Sequence, residues 1–135
     1  MTVAAELVRA VTARAGRRCE YCRMHQALQG ATFHIEHIRP VAQGGVTALD
    51  NLALACPSCN LHKSDRVAAA VPGSADVAPL FNPRTDRWEG HFVWHGHRVL
   101  GLTPIGRATA AALDLNHPRR ILIREAEELF RLFPP

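Results

Sequence analysis

Four cysteines occur as two pairs with the same spacing, Cys19-x-x-Cys22 and Cys56-x-x-Cys59. A Cys-x-x-Cys turn can chelate one metal ion, and two such turns make one complete tetrahedral zinc set. Because protein ligands would fill all four positions, this zinc would be structural rather than catalytic. The alternative is a set of four unrelated buried cysteines.

A second group of residues could hydrolyse a phosphodiester bond. That reaction needs an activated water molecule, a cation that stabilises charge on the phosphate, and fixed geometry. His37 could accept a proton from water, while Glu36 and Asn60 could offer oxygen ligands to a hard cation such as Mg²⁺. In a regular strand the adjacent Glu36 and His37 would point to opposite faces. The alternative is a Glu-His pair on a solvated strand end.

In their order and spacing these motifs resemble the HNH endonucleases, in the branch with a four-cysteine zinc site. The resemblance covers roughly residues 17–66 and is carried by Glu36-His37-Ile38, Gly44-Gly45, Asn51-Leu52 and Cys56-Pro57-Ser58-Cys59-Asn60-x-x-Lys63. Two positions depart from the commonest pattern. Glu36 stands where the family most often has Asp, and Asn60 stands where the last letter of the motif is His.

The resemblance implies a small ββα-metal core, the His-Me finger arrangement, stapled by zinc. In such a core the strand end twists so that His37 and a cation flank the phosphate. His37 would be the general base, and Glu36 and Asn60 would hold Mg²⁺ or Mn²⁺. Asn51 would tie the intervening loop by side-chain–backbone bonds and so keep His37 in place. The implied catalytic set is His37, Glu36, Asn51 and Asn60.

The charge distribution favours a nucleic-acid partner. The chain has 16 Lys and Arg against 12 Asp and Glu and a pI near 9.3. All but one of these basic residues are arginines, whose planar fork suits phosphate. Five of them crowd around the first cysteine pair, as expected of a phosphate-facing patch: Arg9, Arg14, Arg17, Arg18 and Arg23.

Residues near the motif are further candidates for phosphate contacts. Lys63 follows Asn60 by one helical turn and should share its face. His34 precedes Glu36 by two strand positions and should also share its face. Arg39 directly follows the strand. We therefore expect nucleic-acid contacts from Lys63, His34, Arg39, Arg17 and Arg18.

The length of 135 residues suits one compact domain, or a small domain with an appendage. No apolar run approaches the roughly 18 residues that span a bilayer, and the charged N-terminal stretch is unlike a signal peptide. Four cysteines without a signal indicate metal binding in a reducing cytoplasm. We expect a cytoplasmic protein that binds DNA, with RNA left open, has no membrane partner, and is a monomer or homodimer.

Periodicity and turn residues predict an α+β fold. The N-terminal part, 1–66, should be the nuclease core: a helix over 3–15 with Thr2 as N-cap, strands at about 32–38 and 52–55, and a helix at about 57–66. The C-terminal extension, 67–135, should pack on this core. It should contain a linker (67–80), a hairpin turning at His95-Gly96-His97, and helices over 104–115 and from 118 to about 130.

Apolar residues in the extension are expected to form core. Trp88, Phe92 and Trp94 could stack bases, but a hydrophobic core is the better interpretation. His91, His95 and His97 fit a half-exposed hairpin face better than a second metal site. The last helix should bury an apolar stripe formed by Leu122, Ile123, Ala126, Leu129 and Phe130.

Two functional hypotheses follow from the sequence. The first is a metal-dependent endonuclease that hydrolyses phosphodiester bonds in DNA. The second is a zinc-stabilised nucleic-acid-binding module without catalysis. Retention of His37, Asn51 and Asn60 favours the enzyme. Glu36 in place of Asp keeps the second open, because one methylene moves the carboxylate by about 1 Å.

Overall fold

A computed structural model describes residues 3–135, so the predicted N-cap Thr2 lies outside the described residues. Helix α1 (Ala5–Arg14) lies within the predicted span and buries Val11 completely. Arg14, at its end, donates hydrogen bonds to the carbonyl oxygens of Leu49 and Leu52, at 2.8 and 2.6 Å. These bonds fix the first helix against the segment that leads into the second strand.

The predicted ββα unit is confirmed. Strand β1 (His34–His37) pairs antiparallel with β2 (Leu52–Ala55), with His34 opposite Ala55 and His37 opposite Leu52. All of β2 is buried, which explains its uninterrupted apolar sequence. Helix α2 (Pro57–Lys63) follows at once, with proline at its first position and the Cys56 sulfur accepting a bond from the Cys59 amide at its N-cap.

Helix α2 is shorter than predicted. It ends at Lys63 because Ser64 adopts φ +50° and ψ −127°, which takes the chain out of the helix. Residues 64–66 therefore turn away at the end of the helix, and they carry Asp65 toward the edge of β1.

The predicted linker contains a second hairpin, so that prediction is wrong. Strands β3 (Ala68–Ala70) and β4 (Val77–Pro79) pair antiparallel, with Ala69 opposite Ala78. Buried Val71 and Ala78 form a small apolar cluster with Ala108 of a later helix. Alanines and a Pro-Gly turn are weak strand signals, and the packing of small side chains compensates for them.

The hairpin predicted to turn at His95-Gly96-His97 and the helix predicted after it are confirmed. Helix α3 (Trp88–His91) leads into β5 (Phe92–His95), which pairs with β6 (Arg98–Gly101), and helix α4 (Pro104–Ala112) follows. The backbone of α4 packs closely on this hairpin. A Cβ atom on Gly106 would lie 2.0 Å from the carbonyl oxygen of His91, so only glycine fits there.

Helix α5 (Pro118–Leu129) has the predicted extent, but its predicted orientation is wrong. Its buried residues are Arg120, Arg124 and Glu127, whereas Leu122 and Leu129 are 64% and 84% exposed. Cysteine sulfurs and backbone carbonyl oxygens accept hydrogen bonds from the two buried arginines and so stabilise this unusual burial.

One hydrophobic core joins the two parts of the chain. It contains Tyr21 and Leu54 from the N-terminal part together with Phe81 and Trp88 from the C-terminal part. The indole nitrogen of Trp88 also donates to the carbonyl oxygen of Tyr21, at 2.9 Å. Within residues 3–135, no helix is long and apolar enough to cross a membrane.

Candidate metal centre and hydrolytic cleft

The two cysteine pairs meet in the core. The sulfur atoms of Cys19, Cys22, Cys56 and Cys59 all lie within 4.8 Å of one another. The Cys22 and Cys56 sulfurs are 3.7 Å apart. Zn–S bonds of about 2.3 Å in a tetrahedron require sulfur atoms about 3.8 Å apart. The residues present therefore fit a zinc ion with four protein ligands.

In both Cys-x-x-Cys turns, a backbone amide donates a hydrogen bond to a cysteine sulfur. The Cys22 amide points at the Cys19 sulfur (3.5 Å), and the Cys59 amide points at the Cys56 sulfur (3.4 Å). Arg23 adopts φ +67° and its amide donates to the Cys19 carbonyl oxygen, which closes the first turn. Amide bonds to sulfur stabilise thiolates, the form that binds zinc.

The centre also contains a cation that sequence reasoning missed. Arg120 of α5 places its Nη2 atom 3.2 Å from the Cys56 sulfur and 3.0 Å from the Cys59 sulfur. Burial by itself raises the pKa of the Cys19 thiol well above its ordinary value. Arg120 brings positive charge to the sulfurs of Cys56 and Cys59, and a bound metal ion would add to it, so both would favour the thiolate form.

A separate cleft of about 260 Å³ opens at the other end of α2. Glu36 and His37 from β1 and Asn60 from α2 line it together. Ser64 and Asp65, just past the helix, complete its wall. The structure thus brings three of the four expected catalytic side chains to one cavity. Asp65 was missed, and its position two residues after Lys63 carried no motif signal.

His37 is half-buried and held by a hydroxyl. Its Nε2 atom lies 2.8 Å from the Thr47 Oγ1 atom. With the Nε2 proton donated to Thr47, the lone pair is on Nδ1, and that nitrogen can accept a proton. Thr47 was missed because it lies in the Gly-rich loop and belongs to no motif letter.

The Glu36 carboxylate is buried and has a partner on each oxygen. Its Oε1 accepts a hydrogen bond from the Tyr21 hydroxyl, and its Oε2 lies 3.0 Å from the Lys63 ammonium. Burial raises the pKa of Glu36, and the charge of Lys63 offsets only part of that rise. Each carboxylate oxygen has a second lone pair that these two partners do not use.

The expectation that Lys63 contacts phosphate is corrected. Lys63 is only 2% exposed. Besides Glu36, its ammonium donates to the carbonyl oxygens of Ile38 and His37, at 2.9 and 3.4 Å. Lys63 therefore fixes the end of β1 to the end of α2 rather than facing a ligand.

Asn51 bridges the loop between the two strands. Its Oδ1 accepts from the Arg39 amide at 2.9 Å, and its Nδ2 donates to the carbonyl oxygens of Arg39 and Val46. Gly45 lies against this junction, where a Cβ would come within 1.8 Å of the Arg39 carbonyl oxygen. Since Thr47 follows in the same loop, these bonds also position the partner of His37.

The other expected nucleic-acid contacts have different surroundings. His34, Arg39 and Arg17 are exposed, although the Arg39 Nε atom donates to the Gln43 carbonyl oxygen. Arg18 is half-buried and donates to the carbonyl oxygens of Arg23 and Leu132, so its guanidinium is structural, a correction to its expected role. The arginines around the first cysteine pair are therefore not one continuous phosphate-facing patch.

The C-terminal histidines do not form a second metal group. His91 bonds the Thr103 hydroxyl at 2.6 Å, and His97 lies 3.3 Å from a carboxylate oxygen of Glu128. In the part of the chain that the structure describes, the four cysteines are the only group of three or more His, Cys, Asp or Glu side chains placed to hold a metal. Trp88 and Phe92 are buried core residues, as predicted.

Comparison with known families agrees with this geometry. The model of the HNH endonuclease family matches residues 19–66, from the first zinc cysteine to just beyond the cleft. No curated protein and no solved structure matched the chain. The matched region contains the cysteine centre, the ββα unit and the three cleft residues. Residues 19–66 therefore match the HNH endonuclease family and contain a four-cysteine cluster that could hold a metal ion.

Proposed function

We propose that the protein is a metal-dependent endonuclease that hydrolyses phosphodiester bonds in DNA. The observation that carries the proposal is the cleft in which His37, held by Thr47, lies beside Asn60 and Glu36. A zinc-binding module without catalysis would have no need for an oriented histidine in an open cavity with two oxygen-bearing side chains. His37 would accept the proton of the attacking water through Nδ1.

Asn60 and Glu36 would hold a divalent cation in this cleft. Their amide and carboxylate oxygens are the ligands that Mg²⁺ and Mn²⁺ prefer. When bound, such a cation would stabilise negative charge on the phosphate. Tyr21 and Lys63 orient the Glu36 carboxylate by holding one lone pair of each oxygen. Asn51 and Thr47 keep the His37 ring in place through the loop.

Exposed basic side chains would bind the DNA backbone. Arg39 lies two residues after His37, the last residue of β1, and His34 is the first residue of that strand; both Arg39 and His34 are exposed. Arg17 is exposed near the first cysteine pair. Binding through such contacts should weaken with salt, by roughly 0.9 log unit per log unit of salt for each phosphate contact.

A plasmid-nicking assay tests the proposal. Wild-type protein freed of divalent cations should nick supercoiled DNA only after Mg²⁺ or Mn²⁺ is added. His37→Ala should lower the rate by about 10²–10⁴-fold, the usual contribution of a general base. The control is His95→Ala, which removes an exposed histidine at the hairpin turn and should nick normally. Nicking by His37→Ala at the wild-type rate would exclude His37 as the base.

The second candidate is a zinc-stabilised nucleic-acid-binding module without catalysis. It is favoured by one observation: Tyr21 and Lys63 already engage both oxygens of Glu36. If that engagement excludes a cation, the wild type will bind DNA yet never nick it with Mg²⁺, Mn²⁺ or another common divalent metal. DNA binding without nicking would therefore establish this alternative.

A further inference from the structure

The zinc centre has a fifth protein participant, Arg120, which comes from outside the HNH-matched region. Arg120 is 4% exposed, and one of its nitrogens, Nη2, lies within 3.2 Å of the sulfurs of both Cys56 and Cys59. Its other terminal nitrogen donates to the carbonyl oxygens of Leu113 and Asp114, at 3.2 and 3.3 Å. The guanidinium is therefore fixed between the end of α4 and the second cysteine pair.

Charge explains why an arginine lies there. Four thiolates and one zinc ion carry a net charge of −2, and burying that charge without a counterion is costly. Arg120 in turn has no ion pair with a carboxylate among residues 3–135. The thiolates are thus the anions that compensate the buried guanidinium, and N–H⁺···S⁻ bonds join the two groups.

We propose that Arg120 is a charge-compensating and positioning residue of the zinc centre, so that docking of helix α5 and tight zinc binding stabilise each other. The C-terminal extension is then part of the metal centre, which the family motif alone does not include. The proposal concerns zinc retention and does not depend on whether the cleft is catalytic.

The chain offers a matched control one helical turn away. Arg124 is also buried in α5, fully so, and donates to the carbonyl oxygens of His97 and Leu115. It stacks over Trp94 and contacts no cysteine sulfur within hydrogen-bond distance among the described residues. Replacing either arginine removes a buried guanidinium from the same helix, but only Arg120 bonds the cysteine sulfurs. Arg124 interacts with Cys22 and Cys59 only through longer-range charge.

The experiment measures zinc affinity by competition with a chromophoric chelator under reducing conditions. Arg120→Gln should bind zinc about 10- to 100-fold more weakly than Arg124→Gln, the usual cost of losing a group that bonds a metal ligand. Using the ratio cancels the loss of affinity that general destabilisation of the fold produces in both variants. Equal affinities of the two variants would overturn the proposal.

A second pair of variants, with lysine in place of each arginine, tests the proposal if a glutamine variant does not fold. Arg120→Lys keeps the cation but changes its distance to sulfur, and Arg124→Lys makes the same exchange away from the thiolates. With cobalt(II) in place of zinc, the thiolate-to-metal charge-transfer absorption should shift in Arg120→Lys and stay at the wild-type position in Arg124→Lys. An unshifted band in Arg120→Lys would refute the proposal.

Discussion

The two ends of the short helix α2 belong to two different sites. At its N-terminal end, Cys56 and Cys59 are 1% and 0% exposed and belong to the cysteine centre. At its C-terminal end, Asn60 is half-buried and faces a cleft of about 260 Å³. Adjacent residues, Cys59 and Asn60, thus belong to two sites that differ in access to solvent.

The cysteine centre and the cleft differ in their access to solvent. Four sulfur atoms enclose the metal position, so no ligand position is left for water or substrate. In the cleft, the side chains of Glu36, His37 and Asn60 surround open space instead. The first end of α2 therefore belongs to a closed, buried site, whereas the second end borders a cavity open to solvent.

The ends also differ in how they balance charge. The cysteine centre receives its cation from Arg120, 61 residues away from Cys59 along the chain. The cleft end uses a local pair, Lys63 and Glu36, which closes β1 against α2. Substitutions at Cys59, Asn60, Lys63 and Thr47 test this division.

Loss of one zinc ligand should cause the largest effect. Cys59→Ser should lose its metal and unfold the N-terminal part, because structural zinc contributes about 10–16 kcal/mol of binding free energy in small zinc domains. Zinc content and circular dichroism measure the outcome, with the neighbouring Ser58→Ala as control. A Cys59→Ser protein that keeps one zinc ion and its helical signal would contradict the assignment of this end as structural.

The adjacent substitution, Asn60→Ala, should have the opposite outcome. Zinc content and fold should persist, while nicking at low Mg²⁺ falls by about 10² or more, because a lost cation ligand removes several kcal/mol of charge stabilisation. Excess Mn²⁺ should restore part of the rate. His62→Ala, on the same helix outside the cleft, is the control. If Asn60→Ala loses zinc together with activity, the two ends of α2 are not independent.

Lys63→Met should break the buried ion pair that joins the C-terminal end of α2 to β1. Removing one partner of a buried ion pair costs about 3–5 kcal/mol in the free energy of unfolding. Replacing both, as Glu36→Gln with Lys63→Met, should cost less than the sum of the single changes, because neither charge is then left alone. Urea unfolding of the zinc-loaded variants measures the coupling. Strict additivity would argue against an energetic pair.

Thr47→Val should cause the smallest effect. The variant loses the hydroxyl that bonds His37 Nε2, and one hydrogen bond is worth about 0.5–1.5 kcal/mol. Nicking should slow by about 2- to 12-fold at unchanged zinc content, the same free energy expressed as a rate. Thr47→Ser, which keeps the hydroxyl, should behave like the wild type. A Thr47→Val rate equal to wild type would mean that other contacts orient the ring.

Local signals in the sequence predicted much of the structure of residues 19–66, the region that matches the HNH family model. The bounds of β2 follow from a buried apolar run, and the start of α2 follows from Pro57, since proline is favoured at the first position of a helix. Asn51 was expected to bond loop backbone, and its bonds to Arg39 and Val46 are of that kind. Such features depend on residues close in sequence or on chelation by a fixed spacing.

Helix α5 shows where sequence reasoning stops. Its periodicity predicted a helix, but two stripes have helical spacing: an apolar one through Leu122 and Leu129, and a polar one through Arg120 and Arg124. Hydrophobicity alone favours burial of the first stripe. The structure buries the second, because thiolates and free carbonyl oxygens lie opposite it and satisfy its guanidinium groups.

Short-range spacing along the sequence is enough to predict the two chelating turns, the order of the ββα unit and the residue types at the cleft. Three roles become visible only in the folded chain: Lys63 turns inward to Glu36, Thr47 holds His37, and Arg120 bonds the sulfurs of the cysteine centre. Those roles depend on which group lies opposite a side chain. That group comes from a distant part of the chain, and spacing along the sequence does not specify it.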